Sequence, residues 1–357
     1  MQAPAAALRA LALLVALTGA GPGWGATVRV AVVAPDSDHL AWTSAQILAT
    51  AADAHGLALE LAAAGTNDAG RSPHLVIMPL RSLATQVPAL EVLELPYFYS
   101  DLAAVHRATD GSLGDALRDA ARAQGWEILA FWDEGLHVMS GLRRYDRAVN
   151  LTAMEFLLTR PDPVAERQLL AWNATPRHIR ARNREAVLRE CLIASRAATL
   201  QELQREGLER VHMTLALTGH RYEGWLLIAP VDAWRALPAA QRATLEGILP
   251  QVTAAQRAEA ARREQAALEY LRAAGMMVHA LDEAQRQAYI ERLPPWPELL
   301  SREIGQTLRR ELLAAACLTE DNRSPGPCAP RGSGATTPAS ARSPTPPAPS
   351  VPARSPE

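Results

Sequence analysis

Between Thr27 and Trp132 the chain changes its hydrophobic period repeatedly, and this alternation restricts the fold more than any other feature. "TVRVAVVAP" is a short apolar run of the strand type, and "HLAWTSAQILATAADAHG" follows with helical spacing up to Gly56. "LALELAAAG" and "HLVIMPL" are two further strand-like runs. "DLAAVHRATDGSLGDALRDAARAQG" divides into two helical pieces at Asp110-Gly111, and Gly125 stops the second. "WEILAFW" then reads as a fourth strand that ends at Trp132. Strands alternating with longer helices argue for an α/β fold of parallel sheets covered by helices. Farther on, "EFLLT" opens a second unit and "GWLLIAP" returns the chain to the first. A long helical stretch, "LPAAQRATLEGILPQVTAAQRAEAARREQAALEYLRAAG", comes last; Pro250 is expected to kink or break it.

A chain of 357 residues has room for about two domains. Hydrophobic residues make up 48% and charged residues 21%, enough to fold around a core. A net charge of -2 supplies no general attraction to nucleic acid or to an anionic membrane. Every basic side chain other than histidine is arginine. Residues 1–26 have the layout of a secretory signal peptide: Arg9, an apolar stretch from Ala10 to Leu17, then small residues. That stretch is shorter than the roughly 20 residues a spanning helix needs. Export to the periplasm is therefore expected. Cys191, Cys317 and Cys328 have no metal-like spacing. From about Thr319 to Glu357 proline, serine and alanine dominate, a composition that buries too little apolar surface to order itself. The run with Arg177, Arg180, Arg182, Arg184 and Arg189 is interrupted by Glu185 and Glu190 and lacks interleaved aromatics, so it reads as a solvated face and not a nucleic-acid surface.

The segment "EILAFWDEGLHVMS", Glu127 to Ser140, is the candidate site. Ligands of open α/β sheets sit beyond the carboxyl ends of strands. Trp132 offers a flat apolar face, Asp133 and Glu134 offer acceptors, Gly135 allows a sharp turn, and His137 can donate to an anion. Glu134 and His137 also form a Glu-x-x-His pair. Those side chains share a face only on a helix, and the strand before them and Gly135 between them argue against a metal site. No Gly-x-Ser-x-Gly elbow or phosphate-cradling loop occurs, so neither catalysis nor a cofactor is expected.

"LEVLELPYFYSD" followed by "DGSLGDALRDAARAQGWEILAFWDEG" resembles the periplasmic solute-binding proteins of TRAP transporters, dicarboxylate-binding type. "RRYDRAVNLTAMEFLLTR", "LLAWNATP", "LALTGHRYEGWLLIAPVDAWRALPAAQRATL" and "LEYLRAAGMMVHALDEAQRQAY" extend the similarity from about Val28 to Ala316. The resemblance implies a two-lobed periplasmic-binding-protein-like fold with crossing strands and a long connecting helix. The expected divisions are 27–140 plus 212–250 for lobe I and 141–211 plus 251–318 for lobe II. It also implies a monomer that closes on a small organic acid or related solute and delivers it to integral membrane permease subunits. An exported sensor or scaffold of the same fold, with ligand binding lost, is the alternative.

The family's carboxylate-holding arginine falls here on Leu157 or Leu158, with Arg160 the nearest arginine. A second family arginine is replaced by His137. A third element has become "LIASRAAT", keeping Ser195, Arg196 and Thr199 as polar residues. The resemblance thus carries the fold further than the ligand class. The ligand-binding residues expected are Trp132, Glu134, His137, Leu158, Arg160 and, at the start of the first helix, His39.

Overall fold

The computed structural model describes residues 27–34, 36–65, 72–179, 184–191 and 194–300, with Ile304 and Arg309. The signal-peptide stretch 1–26, Cys317, Cys328 and the 319–357 tail lie outside these residues. Two sheets organise the chain. The first contains β1 (Val28–Val32), β2 (Leu59–Ala63), β3 (Leu75–Pro79), β4 (Trp126–Leu136) and β10 (Tyr222–Pro230), in the order β2-β1-β3-β10-β4. The second contains β5 (Val138–Gly141), β6 (Glu155–Leu158), β7 (Thr175–His178), β8 (Ser195–Ala198), β9 (Thr214–Leu217) and β11 (Met277–Ala280), in the order β11-β9-β5-β8-β6-β7.

The expectation of parallel sheets holds only in part. β1 runs parallel to β2 and β3, but β10 is antiparallel to both β3 and β4, and β5 is antiparallel to β8 and β9. The antiparallel strands are those that pass between the sheets, which a βαβ rhythm cannot reveal. β4 leads into β5 with His137 alone between them, and the return from β9 to β10 runs beside it. The two crossings are bonded to each other: the His137 amide donates to the Arg221 carbonyl at 2.7 Å, and the His220 amide to the His137 carbonyl at 3.2 Å.

The fourth strand does not end at Trp132. It continues through Asp133, Glu134 and Gly135 to Leu136. Gly224 pairs with Asp133 and Glu223 with Gly135, so Glu134 is an extra residue, a β-bulge. Gly135 has φ +148°, a conformation that glycine adopts without penalty. The bulge frees backbone groups that need partners. Gln256, fully buried, supplies two: its Nε2 donates to the Asp133 carbonyl at 2.8 Å, and its Oε1 accepts from the Asp133 amide at 2.9 Å. Gln201 Nε2 donates to the Glu134 carbonyl at 3.0 Å.

Gln256 belongs to the helix Ala239–Ala273, which runs unbroken through Pro250, contrary to the expected kink or break. Leu245, Ile248, Leu249 and Val252, on both sides of Pro250, are buried in one cluster with Trp132 and Trp225, and this packing secures the turns that proline weakens. Asp110-Gly111 does separate two helices, Leu102–Thr109 and Ser112–Ala123. A Cβ on Gly114 would lie 1.8 Å from the carbonyl oxygen of Thr109, so the second helix is seated against the last turn of the first. Gly114→Ala must therefore displace backbone, and its cost is expected at the upper end of about 1–3 kcal/mol. A urea midpoint equal to that of the unsubstituted protein would contradict this contact.

Candidate functional site

β6 delivers Leu157 and Leu158 to a cavity, and the turn after it delivers Arg160. Asp162 then caps the helix Pro163–Ala171, its Oδ1 accepting from the Ala165 amide at 3.0 Å. The crossing strands contribute His137, His220 and Arg221, and β8 with the following helix contributes Arg196 and Glu202. The free space is small, about 20 Å³, room for roughly one water. Arg160, Asp162, Arg196, Glu202 and Arg221 are the charged side chains of its lining.

These side chains form one connected set. Asp162 pairs with Arg81, in the short helix Leu80–Ala84 after β3, and with Arg221 Nη1 at 2.7 Å. Arg81 also pairs with Glu94. Glu223, on β10, is bonded by Arg160 and, at 2.7 Å, by His137 Nε2. Arg221 Nη2 lies 3.2 Å from His137 Nδ1. A guanidinium can only donate, so Nδ1 is the acceptor and Nε2 carries the proton that goes to Glu223. Arg196 meets Glu202 at 2.8 Å and Glu206 at 3.0 Å.

Burial and charge set the protonation states. Burial, then the neighbouring Arg221, lowers the His137 pKa to about 4, despite the opposing pull of Glu223. His39 falls to about 3, first through burial and then through Arg205. Burial raises Glu94 to about 7 against the opposing effect of Arg81. Asp162 lies well below the usual carboxylate range because Arg221 and Arg81 outweigh its burial. Glu223 is lowered as well, Arg160 and His137 overcoming burial.

His137, Leu158 and Arg160, from the sequence-derived set, line this cavity. Trp132 does not. Its ring is fully buried among core residues, and its Nε1 donates to Thr253 Oγ1 on the long helix at 3.3 Å. A residue pointing one way along β4 meets the helix, and its neighbour points the other way. Glu134 and His39 come together around Trp225, outside the cavity lining. Glu134 Oε2 accepts from Trp225 Nε1 at 2.7 Å, and the His39 ring lies edge-on to Trp225 at 4.7 Å. His39 caps the helix Leu40–Asp53 by accepting from the Ala41 amide, which fixes its ring. Glu134 and His137 sit on extended backbone and share no helical face. No group of residues able to hold a metal occurs among the described residues.

Sequence reasoning missed Glu223, Arg221, Asp162, Arg81 and Glu94. A signal existed: each is a charge set within or beside an apolar run, as in "HLVIMPLRS", "LEVLELP" and "GHRYEGWLLIAP". Pairing partners so distant in sequence could not be read from it.

Residues 69–300 match the family described as bacterial extracellular solute-binding protein, family 7 (DctP). The chain belongs to this family. Its relatives include the C4-dicarboxylate-binding periplasmic protein DctP of Rhodobacter capsulatus, 26% identical over 220 residues, 61% of this chain and 66% of the relative. The protein of the same name from Vibrio cholerae is 25% identical over 63% of this chain and 67% of its own length. The chain thus spans about two thirds of the length of these curated relatives. Among solved structures, a TRAP periplasmic solute-binding protein of Pseudomonas aeruginosa, with bound L-malate, superposes with a TM-score of 0.67 at 20% identity. That match covers 76% of this chain and 99% of the other. A second, from Chromohalobacter salexigens with bound D-glucuronate, gives 0.70 at 14% identity over 81% and 99%. These likenesses show the two-lobed α/β fold.

Glu134 provides a test of the site's electrostatics. It is 4% exposed, and its Oε1 has no hydrogen-bond partner. Burial lifts its pKa to about 7, with Glu223 and Glu202 adding to the rise and Arg205, 3.9 Å away, and the Trp225 bond opposing it. Between pH 4.5 and 7 the folded protein retains a proton that the unfolded chain releases, so this contribution to stability falls as pH rises through that window. Glu134→Gln removes the titration. Relative to the unsubstituted protein, the variant is expected to gain on the order of 2–3 kcal/mol between pH 5 and pH 8. A stability difference constant with pH, measured by urea unfolding, would show that Glu134 stays ionised.

Proposed function

We propose that this DctP-family chain is the periplasmic solute-binding component of a TRAP-type transporter. It captures a small organic acid or related solute between its two lobes and presents it to membrane permease subunits. The observation that carries this reading is the charged cavity, built where the strands pass between the two sheets and lined by residues from the second sheet and from both crossings. Closure of two lobes about such crossing strands is the hinge motion of periplasmic binding proteins. Relatives named for C4-dicarboxylates, and structures holding malate or glucuronate, support an acidic solute. The apparent leader at 1–26 supports export, and no described helix is long and apolar enough to cross a membrane. His137, Leu158 and Arg160 are the ligand contacts in this reading, while Glu134 and His39 pack around the buried Trp225, outside the cavity lining.

Binding to the folded state alone raises stability by mass action, by about 2.7 kcal/mol at a ligand concentration one hundred times Kd. A thermal-shift panel of dicarboxylates, hydroxy acids and sugar acids is expected to raise the melting temperature by several degrees for at least one class. Arg160→Ala should abolish most of that rise. A flat response across the panel would reject the solute-binding role.

A further inference from the structure

What an acidic solute can use in this cleft depends on which arginine donors the protein leaves open, and the inference below rests on the solute-binding reading. Arg81 is divided between Glu94 and Asp162. Arg221 gives one nitrogen to Asp162 and another to His137. Arg196 gives its nitrogens to Glu202, Glu206 and the Ala197 carbonyl. Arg160 differs from these three. Arg81 Nε and Arg221 Nε also lack a partner, but both are buried. One Arg160 nitrogen meets Glu223, its side chain is 41% exposed on the cavity wall, and the rest of its guanidinium has no hydrogen-bond partner among the described residues.

The donors that would receive a second carboxylate are already in use or, like Arg81 Nε and Arg221 Nε, buried behind the cavity wall. Glu223 accepts from both Arg160 and His137, and His137 cannot take up the slack with added charge, because its Nδ1 faces Arg221. Glu202 lines the same cavity. A solute carboxylate held on the open side of Arg160 therefore leaves the solute's other end in a low-dielectric space beside protein carboxylates. A second anionic group there meets like charge, whereas a hydroxyl or ammonium group finds acceptors.

Glu223 is not itself in the cavity lining; it lies behind two lining residues, Arg160 and His137, and is bonded to both. We propose that Glu223 is the specificity-determining residue of this cleft: it is a built-in carboxylate that selects monocarboxylates bearing hydroxyl or amino groups and excludes dicarboxylates. A dicarboxylate binds only by displacing Glu223 from Arg160 and His137. The residue acts on selectivity through charge already in place, so removing the charge while keeping the shape alters which solutes bind.

The experiment is titration calorimetry on the exported chain with D-gluconate, D-glucuronate, succinate and L-malate. The unsubstituted protein is expected to bind at least one of the two hydroxylated monocarboxylates at least tenfold more tightly than either dicarboxylate. Glu223→Gln keeps an acceptor for the His137 Nε2 proton, and it should improve succinate binding at least tenfold while changing the hydroxy acids less. Arg160→Gln, at a half-exposed side chain, should weaken the preferred hydroxy acid at least tenfold, a result that does not depend on the buried variant folding. A preference for dicarboxylates in the unsubstituted protein, or an unchanged succinate-to-gluconate ratio in folded Glu223→Gln, overturns the assignment while leaving the solute-binding role intact. Binding of none of the four acids, with a thermal shift from another solute class, overturns the assignment as well. Only the absence of any ligand removes both.

Discussion

A strand that passes from one sheet to another must leave the first ladder before it joins the second, and the groups released on the way need partners. In this protein the bulge at Glu134 is where β4 leaves register with β10. Buried amide and carbonyl groups without partners would cost about 1–3 kcal/mol each. Gln256 meets both backbone groups of Asp133, and Gln201 meets the carbonyl of Glu134. The rest of the arrangement follows from this repair. The long helix must lie across β4 to bring Gln256 to the bulge, and the helix with Gln201 must approach from the second sheet. The bulge then sets the direction in which Glu134, His137 and the facing Glu223 project.

The charges around the cavity obey a second constraint. A guanidinium does not lose its proton at any ordinary pH, so each arginine carried into the gap must meet an acceptor there. Arg81, Arg160, Arg196 and Arg221 all do so, through Glu94, Asp162, Glu202, Glu206 and Glu223. Removing one partner of such a pair leaves a buried charge uncompensated, which costs more than the pair contributes. The network therefore fixes the positions of its members more than it adds stability. His137 takes part as a neutral ring, because protonation of Nδ1 would set it against Arg221.

Much of the fold was legible in the sequence. The strand-like runs at Val28–Val32, Leu59–Ala63 and Leu75–Pro79, and the helix pair separated at Asp110-Gly111, have local causes: apolar period, caps and glycine. The direction of β10 was not legible, since an apolar run such as "GWLLIAP" is the same read into a parallel or an antiparallel ladder. The continuation of β4 past Trp132 was hidden for a different reason. Its acids and glycine look like a loop unless Gln256, some 120 residues away, is known to satisfy them. Pro250 misled because helical continuity there comes from packing against Trp132 and Trp225, which is tertiary. His137 and Arg160, named from residue type and from where the resembling family has arginines, line the cavity. Trp132, expected to offer its face to a ligand, packs into the core instead, because alternation along a strand tells neighbours apart without saying which side is the core.

His137 is the one residue between β4 and β5, so the first of the two crossings turns on a single position. Its side chain touches Glu223 and Arg221, and its backbone bonds to the returning crossing. In the solute-binding reading proposed above, the crossing and the recognition surface are the same residue. On that reading, a guest that alters the partners of this imidazole would act directly on the crossing, with no chain of intermediaries between occupancy and the strand that joins the sheets.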